Sequence, residues 1–265
     1  MSNSTPIGFF DSGVGGLSVM IEVRRLLPAE NFIYFADSAH CPYGAKPVEV
    51  IQGRAFAICD FLLERGVKLI VIASNTTSIA ALDAVREKYN VPVVGIEPAI
   101  KPAVSVTRNG RIGVIATGVT LAGERFDSLV KRFGDGLDVY TQPCPGLVEV
   151  VESGRWDNKE TEALVGSYLD KLLARGVDTI ILGCTHYPFL RPVVEKLAGS
   201  SIKVIDSGEA VARQVVRVLK NKDLASGGSA AGDESFFTSG DPEKAGTVMR
   251  LLLGKPDLVV KRVVV

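Results

Sequence analysis

Residues 62–78 read LLERGVKLIVIASNTTS, and residues 172–188 read LLARGVDTIILGCTHYP. Aligned residue for residue, the two stretches set Ser74 on the position of Cys184. Two further echoes keep nearly the same offset: PIGFFDSG (6–13) against RIGVIATG (111–118), and residues 91–99 against 202–210. Segments that recur once at about half the chain length point to duplicated lobes with a cleft between them. For 265 residues, this favours two units of about 130 over one large domain. Such a cleft suits chemistry that needs matched groups on opposite sides of one substrate.

The composition agrees with a packed protein, since 46% of residues are apolar and 23% charged, which excludes a disordered chain. Thirty Lys plus Arg balance thirty Asp plus Glu, so the basic footprint of a nucleic-acid or anionic-membrane binder is missing. A small-molecule partner is expected instead. The opening MSNSTPIGFFDSG has no basic segment before an apolar run, and the other apolar runs are too short to span a bilayer. A cytoplasmic protein is the resulting expectation. Cys41, Cys59, Cys144 and Cys184 are scattered without CxxC spacing, which argues for reduced thiols rather than disulfides or structural zinc.

Short apolar runs at residues 7–10, 32–35, 69–73, 91–96, 112–116, 139–141, 179–183 and 202–205 read as strands buried on both faces. Helical spacing separates them at 17–27, 48–65, 79–89, 123–133, 159–175 and 188–197. Alternating strands and helices predict an α/β fold of two doubly wound, mainly parallel lobes. Residues 208–222 form another expected helix, followed by a Gly/Ser/Ala-rich surface loop to Glu234. A helix over 242–253 lies between strand-like Phe236-Phe237 and residues 258–265, and this tail is expected to return to the first lobe. The lobes are therefore drawn as 1–97 plus 209–265, and 98–208.

Doubly wound sheets bind ligands beyond the carboxyl ends of their strands. Those ends here carry Asp11-Ser12, Asp37-Ser38, Ser74-Asn75-Thr76, Thr117-Gly118 and Cys184-Thr185-His186. Each group taken alone reads as a helix cap, but five such ends together read as a site. The turn Gly13-Val14-Gly15-Gly16 could present amides to an anion. With Asp37 about twenty residues on, it raises a dinucleotide-binding alternative. That fingerprint is incomplete, because its third glycine position holds Ser18 and the Asp11 carboxylate would repel a pyrophosphate.

Cys184 at a strand end before a helix reads either as a small buried apolar residue or as a reactive thiolate. A Cys/His nucleophile with His186 is a further reading, although two-residue spacing says nothing about pairing in space. With only two histidines, and neither in a ligand motif, metal binding is disfavoured. Glu149 and Glu152 lie in the apolar run PGLVEVVESG, and one of them is expected to face the cleft and orient a general acid or base. Tyr43-Gly44 reads as a turn whose amides could hold a carboxylate.

Four motifs carry a family resemblance over essentially the whole chain: FDSGVGGLSV (10–19), YFADSAHCPYG (34–44), VIASNTTS (71–78) and LGCTHYPFL (182–190). With these the chain resembles the glutamate racemases, cofactor-independent enzymes that supply D-glutamate for peptidoglycan. The resemblance implies substrate contacts at Asp11, Ser12, Tyr43, Gly44, Asn75, Thr76, Thr185 and His186, with Asp37, Thr117 and Glu152 in support. It also implies glutamate as substrate, no cofactor, no metal and a homodimer. His186 separates the chain from the aspartate racemases, which usually carry an acid after the threonine.

The family's mechanism is a two-base one, in which one cysteine removes the α-proton and a second protonates the opposite face. The resemblance makes Cys184 the base for L-glutamate and places its counterpart at position 74, where this chain has serine. A free cysteine has a pKa of about 8.5, whereas an alcohol lies nearer the roughly 15.7 of water. A gap of about seven units is on the order of 10 kcal/mol, so binding is expected to survive while inversion is crippled. An introduced Cys-to-Ser change, the favoured explanation, and natural divergence both fit. A two-lobed binding protein or regulator that has lost catalysis, and a racemase of another acidic or hydantoin-type substrate, are the alternatives.

Overall fold

The computed structural model describes residues 5–228 and 230–265. The opening MSNS, part of the stretch read above for a leader, and Ser229 in the Gly/Ser/Ala-rich segment lie outside the described residues. The chain begins β1 (Ile7–Asp11), α1 (Leu17–Leu26), β2 (Phe32–Ala36), α2 (Val48–Leu63), β3 (Leu69–Ile72), α3 (Asn75–Lys88) and β4 (Val93–Gly95). It continues through α4 (Ile100–Val106), β5 (Arg111–Ala116), α5 (Gly118–Ala122), α6 (Glu124–Phe133), β6 (Asp138–Pro143), α7 (Leu147–Glu152) and α8 (Lys159–Leu173). The last elements are β7 (Thr179–Leu182), α9 (Arg191–Ala198), β8 (Lys203–Ile205), α10 (Gly208–Asn221), β9 (Glu234–Thr238), α11 (Pro242–Leu253) and β10 (Val260–Arg262).

Among the described residues the strands form two all-parallel sheets, ordered β10-β9-β2-β1-β3-β4 and β6-β5-β7-β8. The fold is the expected α/β one, and its internal symmetry is explicit. The order β2-β1-β3-β4 repeats as β6-β5-β7-β8, with β9 and β10 added to the first sheet only. The register repeats too, since Gly8 faces Ile70 as Gly113 faces Ile180.

Packing explains why the echoed residues recur. A Cβ on Gly8 would lie 3.1 Å from a Leu62 methyl, and one on Gly113 would lie 2.9 Å from a Leu172 methyl. Each glycine therefore makes room for a leucine in the last turn of the helix before the neighbouring strand. After those helices, Gly66 and Gly176 both turn the chain at φ 70°, a conformation open to glycine at little cost. One apolar cluster runs from Phe9 and Leu17 through Val148 and Val151 to Tyr187 and Val211, so the two sheets share a packed seam. α10, which follows the second sheet, packs against α1.

Several boundaries differ from the sequence expectation. α3 starts at Asn75 rather than near 79, because the Ser74 side chain caps it by accepting from the Thr77 amide at 3.3 Å. The polar run Asn75-Thr76-Thr77-Ser78 hides that first turn from an apolar-periodicity reading. α4 and α5 are too short to show a period. The helix expected over 188–197 opens as a 3₁₀ turn, Tyr187–Leu190, before α9, where Pro188 and Pro192 lack amide donors. No helix of the described residues is long and apolar enough to cross a membrane.

Asp178, on the turn into β7, accepts from the Thr107 and Thr179 hydroxyls and from the Arg108 and Asn109 amides. Burial would raise its carboxyl, but these donors hold it down at about 2, against an ordinary 3.8. Its contribution to stability is therefore complete above pH 3.8 and is lost as pH falls through about 2. Asp178→Asn should cost about 1–3 kcal/mol in urea unfolding at pH 7, and the gap between variant and parent should narrow as the titration is taken below pH 3.8. An equal gap at all pH values would contradict the assignment.

Candidate active site

The carboxyl ends of β1, β3, β5 and β7, the central strands of both sheets, meet at one small cavity. Its walls are Asp11, Ser12, Pro42, Tyr43, Gly44, Ser74, Asn75, Thr76, Thr117, Val148, Cys184, Thr185 and His186. Eleven of the thirteen residues singled out from sequence line it. The other two, Asp37 and Glu152, stand one layer back and act on the wall through Tyr43 and His186. Pro42 and Val148 were not anticipated, since neither carries a reactive group. The space has room for little more than one ordered water, so the two sides of the cleft are closed on each other.

Cross-cleft contacts hold them there. Thr185 donates its hydroxyl to Asp11 Oδ2 at 2.9 Å, and Ser18 donates to the Thr185 carbonyl at 2.8 Å. Thr76 and Thr117 hydroxyls lie 3.1 Å apart, with Thr120 completing a triangle. The Val14 amide donates to Glu152 Oε1 at 2.7 Å, so the glycine turn expected to cradle an anion already serves a carboxylate of the protein itself. Its glycines permit this approach: a Cβ on Gly13 would sit 1.9 Å from Glu152 Oε1, and one on Gly15 would sit 2.2 Å from His186 Nδ1. Gly15→Ala should displace the His186 ring and cost about 1–3 kcal/mol of stability. Denaturant unfolding with a crystal structure of the variant checks this, and an unmoved ring would refute it.

Position 74 and position 184 sit in matching places, each just past a central strand. Ser74 Oγ caps α3. Beside it the buried Asn75 Oδ1 has no protein partner, leaving an acceptor open at the cavity wall. Cys184 Sγ lies 3.8 Å from His186 Nδ1, while His186 Nε2 is 2.7 Å from Glu152 Oε1. Of the two glutamates considered, it is thus Glu152 that reaches the histidine. Burial alone would lower the His186 imidazole, but hydrogen bonds with Cys184, Cys41 and Glu152 outweigh it and hold the ring well above its usual value. Burial raises the Asp11 carboxyl, against the pull of His186 and of hydrogen bonds from Thr185 and Ser12.

Asp37 has a different setting from the one a dinucleotide-binding fold would need. Arg54 grips both of its oxygens at 2.9 Å, His40 Nδ1 lies 3.0 Å away, and the Tyr43 hydroxyl donates to it. Burial would raise this carboxyl, yet the hydrogen bonds from Arg54, Ser239 and Tyr43 hold it below its ordinary range. A carboxylate so saturated has no lone pair left for a ribose, and its effect is to fix Tyr43 at the cavity wall. Arg54 went unnoticed in the sequence because one charge in a long helix reads as solvated surface. The 3₁₀ turn Tyr43–Ala45 starts with amides that have no partner inside the turn, and its Tyr43 and Gly44 line the cavity.

The four cysteines are unpaired. The model of the Asp/Glu/Hydantoin racemase family matches residues 7–215. A glutamate racemase of Pseudomonas paraeruginosa is 50% identical over 261 residues, covering 98% of each chain. Among solved structures, a glutamate racemase isoform from Bacillus anthracis superimposes with a TM-score of 0.90 at 34% identity, over 99% of this chain and 98% of that one. Escherichia coli glutamate racemase in complex with L-glutamate and the activator UDP-MurNAc-Ala has a TM-score of 0.87 at 32% identity, over 98% of each chain.

Proposed function

The chain belongs to the Asp/Glu/Hydantoin racemase family, and from that premise we propose that it handles glutamate by proton transfer at the α-carbon between Cys184 and position 74, with inversion disabled by Ser74. Glutamate racemisation is the activity of its relatives, and the observation that carries the mechanism is the symmetric placement of those two residues at one cavity. The Cys184 thiolate takes the α-proton of L-glutamate, leaving a carbanion stabilised by the adjoining carboxylate. His186, within reach of Cys184 Sγ at 3.8 Å, relays protons to and from that sulfur, and Glu152 orients the ring. Return of a proton from the other side falls to position 74. A serine there must give up its proton as an alcohol and be left as an alkoxide, a far weaker acid step than for a thiol.

Asn75, Thr76, Thr185, Ser12 and the Tyr43-Gly44 turn are assigned to the substrate's ammonium and carboxylate groups, with Asp11, Asp37 and Thr117 holding them in place. The lobes we assign are 1–97 plus 209–265 and 98–208, a division supported by β9 and β10 joining the first sheet. Cytoplasmic location, assembly as a homodimer and supply of D-glutamate for peptidoglycan precursors complete the proposal. The test is a panel of acidic amino acids and hydantoins given to the chain and to its Ser74→Cys form, with α-deuteration and enantiomer ratio followed together. Preference for glutamate supports the reading. Calorimetric binding of glutamate without exchange would favour the alternative that Ser74 suggests, a binding protein or regulator.

A further inference from the structure

Neither histidine lies in a metal-ligand motif, yet the fold assembles a ligand set that no spacing in the sequence displays. Cys41 follows β2 of the first sheet, Glu152 ends α7, and His186 follows β7 of the second sheet. One ligand atom from each lies within 4.8 Å of the other two. With Zn–S near 2.3 Å and Zn–N or Zn–O near 2.0–2.2 Å, tetrahedral ligands stand about 3.3–3.6 Å apart. Small rotations of the Cys41 and Glu152 side chains would reach that spacing. The glycine turn forms the floor that presses the three together, since a Cβ on Gly13 would meet both Glu152 Oε1 and Cys41 Sγ, at 1.9 and 3.1 Å.

We propose that Cys41, Glu152 and His186 form a site for a borderline-soft divalent cation, Zn²⁺ foremost, that fastens the two sides of the cleft together. One thiolate, one imidazole and one carboxylate match zinc or cobalt rather than calcium or magnesium, which take oxygen ligands. Three protein ligands leave a fourth position for water, beside the Ser12 hydroxyl that lies 3.9 Å from Cys41 Sγ. As the cation binds, the Cys41 thiol and the His186 Nε2 each give up their proton to solvent, since the coordinating sulfur and ring nitrogen must both be free of hydrogen. Binding takes His186 Nε2 and Glu152 away from each other, so the metal competes with the pair that holds the ring next to Cys184.

The experiment titrates the unaltered chain with cobalt(II) chloride and reads the thiolate-to-cobalt absorption in the near ultraviolet, then displaces cobalt with zinc chloride. One cobalt per chain is expected, with a melting temperature raised by several degrees in excess metal, as binding to the folded state alone requires. Losing an outer-shell partner costs about 10–100-fold in metal affinity, so loss of the thiolate in Cys41→Ser should cost at least about a hundredfold. Cys184→Ser should keep the absorption. X-ray absorption of the zinc-loaded, unaltered chain should report one sulfur ligand, which keeps the test independent of how well either variant folds. The proposal is overturned if the absorption survives Cys41→Ser, if it vanishes in Cys184→Ser, if two sulfurs surround the zinc, or if the folded chain takes up no cobalt. None of these readouts depends on the chain's activity toward glutamate.

Discussion

Ser74→Cys is expected to raise the rate of glutamate inversion by at least on the order of a thousandfold. The full difference between an alcohol and a thiol is about seven pKa units. Partial proton transfer in the transition state realises only a fraction of it, and half of the gap already amounts to more than three powers of ten. The replacement costs the fold little, because the cap that Ser74 provides to α3 is one 3.3 Å hydrogen bond to the Thr77 amide. Chiral chromatography of reactions started from each enantiomer measures the gain. A rate unchanged within a factor of about ten, in a variant that binds glutamate normally, would remove position 74 from the reaction.

In deuterated water the chain as it stands should label L-glutamate at the α-carbon much faster than it forms D-glutamate, and should leave D-glutamate nearly unlabelled. Cys184 takes the proton from one side only, the sulfur exchanges it through His186 Nδ1, and deuterium returns to the same side. With a serine opposite, the second face has no base of comparable strength. Labelling should exceed inversion by on the order of a thousandfold, by the same half-gap reasoning. Cys184→Ser should abolish both. Equal labelling of the two enantiomers would mean that one residue serves both faces, and the two-sided mechanism would fall.

Most of the architecture was legible because duplication leaves its trace where packing is strictest. Leu62 and Leu172 recur because Gly8 and Gly113 admit them. Ser74 and Cys184 share a position because β3 and β7 occupy the same place in their sheets. The polar strand ends were also readable in the sequence, since a buried parallel strand finishing in Asp, Ser, Thr or Cys needs a reason. What escaped was whatever depends on side chains that only the fold brings together. The pairing of Glu152 with His186, the grip of Arg54 on Asp37 and the closeness of Cys41 to both lie across loops with no fixed separation along the chain. The glycine turn misled for the same reason: an approach by an anion and an approach by the opposite half leave the same pattern of glycines.

The contacts that shut the cavity join Asp11 to Thr185, Val14 to Glu152 and Ser18 to the Thr185 carbonyl, and Asp11, Thr185 and Glu152 are among the residues proposed to do the work. Admitting a solute larger than a water molecule therefore dismantles the reactive arrangement, and only a guest that lets the halves settle around it rebuilds it. Selection against wrong guests is thus built into assembly rather than into a rigid keyhole: a bystander metabolite finds an entrance but no machine.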